Sequence, residues 1–156
     1  MSNDYPRALR SRTKELIDKM LLERQEMLVL LWKVSGLEPY TVERSVKALL
    51  TEFCEILVDY MAAGHFGLYQ RITEGTERRQ PVLKLAKEIF PRIEQTTQTA
   101  IDFNNKYEKL DCENCMKNLH QDLSHLGVAL AVRIDLEDQL IDTLLSHSSP
   151  SPARHH

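Results

Sequence analysis

LIDKMLLERQEMLVLLWKV, residues 16–34, carries its apolar side chains on one flank. Ile17, Met20, Met27, Leu31 and Val34 recur at helical spacing, and Leu16, Leu21 and Leu28 widen the stripe. Continued back to Arg7, this predicts one long amphipathic helix. Gly36 supplies a C-cap and Pro39 prevents continuation.

Outward from this helix the same period recurs. Thr41 is placed to cap a second helix carrying Val42, Val46, Leu49, Leu50, Phe53, Ile56, Leu57 and Tyr60. The pattern breaks at AAGHFG, residues 62–67, where two close glycines predict a helix junction with a close backbone approach, followed by a short helix over 66–73. A loop at Gly75 leads to Pro81, suited to the first turn of a helix running to Tyr107 with a kink or restart at Pro91. Residues 109–114 read as a polar loop. A last helix, about 115–146, sets Leu119, Leu123, Leu126, Leu130, Leu140 and Leu144 on one seam. The Ser-, Pro- and His-rich stretch 147–156 has nothing to bury and reads as a disordered tail.

The expected fold is therefore all-α: one domain over 1–146, an antiparallel helical bundle with long first and last helices and short accessory helices. Its 156 residues suit a single domain, and five glycines leave little material for turn-rich β architecture. The charge of −3, with no dense basic run, argues against direct nucleic-acid binding. No apolar run approaches the ~20 residues of a membrane span, and the polar N-terminus does not read as a signal peptide. Three cysteines, an odd number, fit reduced thiols and a cytoplasmic protein.

Chemistry-bearing patterns are few. Cys112-x2-Cys115-x4-His120-x4-His125 has the look of a short zinc knuckle, but its second half continues a helical stripe. The two histidines would point roughly 140° apart, so surface histidines and a helix-start cysteine are the favoured reading, with no metal and no cofactor. Cys54, inside an apolar stripe, reads as a buried structural thiol. No nucleophile elbow or phosphate-binding loop appears, so catalysis is not expected.

Ionisable residues at seam positions are more informative. Arg24 falls between Met20 and Met27, and Arg133 and Glu137 fall between Leu130 and Leu140; buried charges there must meet partners across the bundle or line a cleft. Asp18, Asp59, His65 and Asp138 are further candidates. LVDYMAAGHFGLYQRI, residues 57–72, gathers Asp59, Tyr60, His65, Phe66 and Tyr69 around the glycines. Two readings stand: a protein-binding patch, or core aromatics beside a turn.

This segment resembles the hallmark stretch of the Rsd/AlgQ family of bacterial regulators. LIDKMLLERQEMLVLL with SGLEP, IFPRIEQTTQ and RIDLEDQLI resemble further family segments in family order. Met20 departs from the aromatic residue common at that point.

The resemblance implies an anti-sigma factor that binds the C-terminal, −35-reading domain of the primary sigma factor. It would block that domain's contacts with core polymerase and promoter DNA and favour alternative sigma factors in stationary phase. HPr of the sugar phosphotransferase system and an alarmone synthetase/hydrolase are implied as possible further partners. Asp59 and Phe66 match positions associated with the sigma contact. Ala62, Asp18, His65 and Tyr69 are carried as partner-binding candidates, and Arg24, Arg133 and Glu137 as a structural polar network. Within this division Asp59 and Phe66 are expected to face outward and His65 to support the interior. A small-ligand or zinc-binding helical protein and a purely structural helical dimer module are the competing readings.

Overall fold

The computed structural model describes residues 4–36, 46–108 and 117–146, with side chains over 12–36, 46–108 and 117–145. The elements are α1 (Asp4–Val34), α2 (Val46–Gly64), a π-helical segment (His65–Tyr69), α3 (Gln70–Thr73), α4 (Gln80–Glu108) and α5 (Leu119–Ser146). Among the described residues there is no strand, and no helix is long and apolar enough to cross a membrane.

The heptad-like stripes meet in one core. Ile17, Met20 and Met27 of α1 and Leu50, Phe53, Leu57 and Tyr60 of α2 are enclosed with Val82 of α4 and Leu126, Leu130, Leu136 and Leu140 of α5. Phe53 meets Phe103 edge-on at 5.9 Å, and Tyr69 meets Phe90 at 5.4 Å. These two pairings run in opposite sequence order, so α4 lies antiparallel to the α2 and π stretch. Asp122 near the start of α5 pairs with Lys106 near the end of α4 at 2.6 Å, while Arg133 reaches Thr97 at 2.6 Å, which makes α4 and α5 antiparallel as well.

Local chemistry sets the ends. Gly36 takes φ +80°, closing α1 as its sequence position demands. Gly75 takes φ +77° in the loop after α3. In that loop the Glu77 carboxylate accepts from the amides of Arg78 and Arg79, at 3.1 and 3.0 Å, and from the Arg79 guanidinium. Burial alone would raise the Glu77 pKa, but Arg79 outweighs it and holds the carboxyl below its usual range. Arg79 also donates to the Leu144 carbonyl at 2.9 Å, and Arg71 to Thr13 at 2.8 Å, fastening α3 and the loop to both terminal helices.

Three sequence expectations are refined. Of the kink or restart expected at Pro91 the restart does not occur, since α4 is a single element through that residue. Pro91 is exposed, so water can satisfy the carbonyl that its missing N–H leaves free. Residues 62–67 bring both the expected junction, with α2 giving way at Gly64 to the π segment and α3, and the close backbone approach, but the helix runs on through them without a turn. α5 begins at Leu119, after a turn at 117–118. Thr41, the loop at 109–114, Cys112, Cys115 and the tail 147–156 lie outside the described residues.

Candidate protein-binding surface

The stretch from Asp59 to Gln70 has an outer and an inner side. On the outside, Asp59, Ala62 and Phe66 are exposed, and Phe66 keeps 53% of its surface in solvent. With Ala63 and Gln70 they form one wall of a groove of about 400 Å³. The other wall is α1: Arg12, Leu16, Lys19 and Glu23, at i, i+4, i+7 and i+11, which places them on one flank of that helix. Leu16, Ala62, Ala63 and Phe66 give the lining its apolar part, and Arg12, Lys19, Glu23 and Asp59 bring two cations and two anions, so the complementarity it offers is mixed rather than simply acidic.

On the inside, Glu137 of α5 is fully enclosed and takes four donors. Its Oε1 accepts from Arg24 Nη2 at 3.1 Å and from the Tyr60 hydroxyl; its Oε2 accepts from the Tyr69 hydroxyl at 2.8 Å and from Arg133 Nε at 3.0 Å. Arg133 lies over the rings of Tyr60 and Tyr69, 5.9 and 5.7 Å from their centroids, and donates to Thr97. Arg24 reaches out to Asp138 at 2.7 Å, so two guanidiniums face two carboxylates. Arg24 Nε is the one buried side-chain polar atom without a hydrogen-bond partner among the described residues.

The electrostatics follow. Burial, then the charge of Glu137, pushes the Tyr60 and Tyr69 phenols well above their usual range, so both stay protonated as donors. Burial works against the charge of Arg24, but its bond to Asp138 and the neighbouring Tyr60 and Glu137 outweigh this and raise its pKa.

The sequence candidates divide differently from expectation. Asp59, Ala62 and Phe66 share the groove. Tyr69, expected among the partner-binding residues, is buried and spends its hydroxyl on Glu137. His65, carried both as a partner-binding candidate and as an interior support, is exposed and packs edge-on to Phe66 at 5.2 Å, which overturns the interior placement. Asp18 is exposed but does not line the groove. Arg24, Arg133 and Glu137 meet one another through Glu137.

Sequence reading missed the α1 wall and the role of Tyr60. Spacing on one helix could have grouped the first, but not shown which helix it faces. It also missed a second apolar face on roughly the opposite side of α1, where Leu28, Val29 and the half-exposed Trp32 lie together. Among the described residues no group of three or more His, Cys, Asp or Glu is placed to hold a metal; His120 and His125 are exposed on α5.

The family model described as "Regulator of RNA polymerase sigma(70) subunit, Rsd/AlgQ" matches residues 5–145. The chain is similar to proteins named "Regulator of sigma D". It is 37% identical to one from Yersinia enterocolitica over 134 residues, covering 83% of this chain and 80% of that protein. To one from Salmonella arizonae it is 36% identical over 133 residues, covering 83% and 81%. No solved structure matches the chain.

Proposed function

The chain belongs to the Rsd/AlgQ family of regulators of the RNA polymerase sigma-70 subunit, and we propose that it acts by sequestration, as a cytoplasmic anti-sigma factor without catalytic activity. Its target in this reading is the C-terminal, −35-reading domain of the primary sigma factor. Occupying that domain withdraws it from core polymerase and promoter DNA, to the benefit of alternative sigma factors in stationary phase. The observation that carries the reading is the groove between α1 and the segment Asp59–Gln70, with a half-exposed Phe66 on its wall and Asp59 beside it. A large aromatic ring held in solvent beside a groove that Leu16, Ala62 and Ala63 also line is the type of residue that anchors a protein interface.

The test is titration of the full chain with the isolated sigma C-terminal domain. Phe66→Ala and Asp59→Ala should each weaken binding by about 2 kcal/mol, roughly thirtyfold. Val128→Ala, at an exposed position on α5, serves as the control and should bind as the parent does. Parent-like affinity for Phe66→Ala would refute the placement of the site. Adding HPr or the alarmone synthetase/hydrolase to the preformed complex would show whether either competes for the same face.

A further inference from the structure

Tyr60 and Tyr69 bind the same buried carboxylate, although an α-helix could not bring them there. Nine residues at 100° each put them about 180° apart, on opposite sides of the helix. On the same uninterrupted helix Tyr69 would fall only about 60° from Phe66, on the outer face. The π segment His65–Tyr69 removes the conflict. Its i→i+5 bonding takes up one extra residue and sets the register after it back by about 100°, enough to carry Tyr69 inward while Phe66 stays outside.

Packing on both sides holds the segment. Gly67, Leu68 and Tyr69 are buried in succession, which an amphipathic α-helix does not do. A β-carbon at Gly67 would stand 3.3 Å from the Leu16 carbonyl oxygen on α1, and one at Gly64 would stand 3.3 Å from Glu137 Oε2 on α5. The segment is thus pressed between the groove wall on one side and the buried carboxylate on the other. Leu16, the contact of Gly67, itself lines the groove.

The geometry points to Tyr69 and Glu137 as positioning residues for the binding face: their hydrogen bond holds the π turn, and the π turn keeps the Tyr69 ring off the outer face and seats Gly67 against Leu16, which sets the groove wall that carries Phe66. This rests on the sigma-binding reading and adds a residue that touches no partner. Tyr60 serves as the internal comparison. It gives the same carboxylate a hydroxyl from α2, ahead of the π turn, so losing it weakens the network without releasing the register.

The experiment compares Tyr69→Phe, Tyr60→Phe, Phe66→Ala and the Tyr69→Phe/Phe66→Ala double variant of the full chain. Thermal melts first fix a temperature at which all four are folded. Tyr69→Phe keeps the ring that meets Phe90, which favours folding. With the isolated sigma C-terminal domain, Tyr69→Phe should bind about tenfold more weakly and Tyr60→Phe within about twofold of the parent. In the Phe66→Ala background Tyr69→Phe should cost less than about twofold, because it acts through Phe66. Amide exchange at 65–69 should accelerate in Tyr69→Phe beyond any change in α4. Equal losses for the two tyrosines, additive losses in the double variant, or unchanged exchange at 65–69 would overturn the inference. If Phe66→Ala alone binds like the parent, the placement of the sigma site fails instead, and the exchange data still decide whether Tyr69 holds the turn.

Discussion

Arg24 of α1 and Glu137 of α5, 113 residues apart, form an ion pair of 3.1 Å in which the carboxylate has no exposure to solvent. The pair closes the bundle between its first and last helices, and Arg133 completes it from one turn earlier on α5. Removing the shared carboxylate leaves two buried cations facing each other. Glu137→Ala should therefore lower the unfolding free energy by roughly 3–5 kcal/mol in urea titrations. A loss below about 1 kcal/mol would mean that water or Asp138 already compensates the arginines.

Glycine substitutions should divide by what their new methyl meets. At Gly67 it meets the Leu16 carbonyl, part of a helix backbone that cannot yield locally; Gly67→Ala should cost about 1–2 kcal/mol despite its better helix propensity. At Gly127, in α5, nothing lies within 4 Å, and Gly127→Ala should add about 0.5–1 kcal/mol. Thermal melts of the two variants should shift in opposite directions.

The stability profile should fall at both ends of the pH scale. Tyr60 and Tyr69 have folded pKa values above the ordinary value of about 10, so their contribution is complete below pH ~10 and is lost as the pH rises toward the folded values. Glu77 is depressed below about 4.3, so its contribution is complete above that pH and is lost as the pH falls through the folded value. Urea midpoints across pH should lose part of the alkaline slope in Tyr69→Phe and part of the acid slope in Glu77→Gln.

Cys54 should be chemically silent in the folded chain. Burial, then Glu108 and Glu55, pushes its thiol up to about 11, and its side chain lies within the core. At pH 8 about one such thiol in a thousand is ionised, and the reagent must also reach it. In a Cys112→Ser/Cys115→Ser background, an aromatic disulfide reagent should react on the unfolding timescale and promptly in denaturant. Rapid labelling of the native chain would contradict this burial.

The long stripes from Ile17 to Val34 and from Leu119 to Leu144 were legible because an amphipathic period is a local property that each helix shows before it packs. Arg24, Arg133 and Glu137 were legible for a related reason: an ionisable residue at a seam position is too costly to bury alone, so its pairing can be anticipated from the helix that carries it.

The segment at residues 57–72 shows where that reasoning stops. Extending the α period past Gly64 groups Tyr69 with Asp59 and Phe66, and one π turn reverses that placement. Nothing within the segment specifies that turn, because its causes are the Leu16 carbonyl on one neighbouring helix and the Glu137 carboxylate on another. By itself the sequence determined which faces are apolar and which charges need partners, since those follow from composition at fixed spacing. Only the tertiary structure decided which side chains of the Asp59–Gln70 stretch meet solvent, because a register shift of one residue depends on contacts between helices distant in the chain.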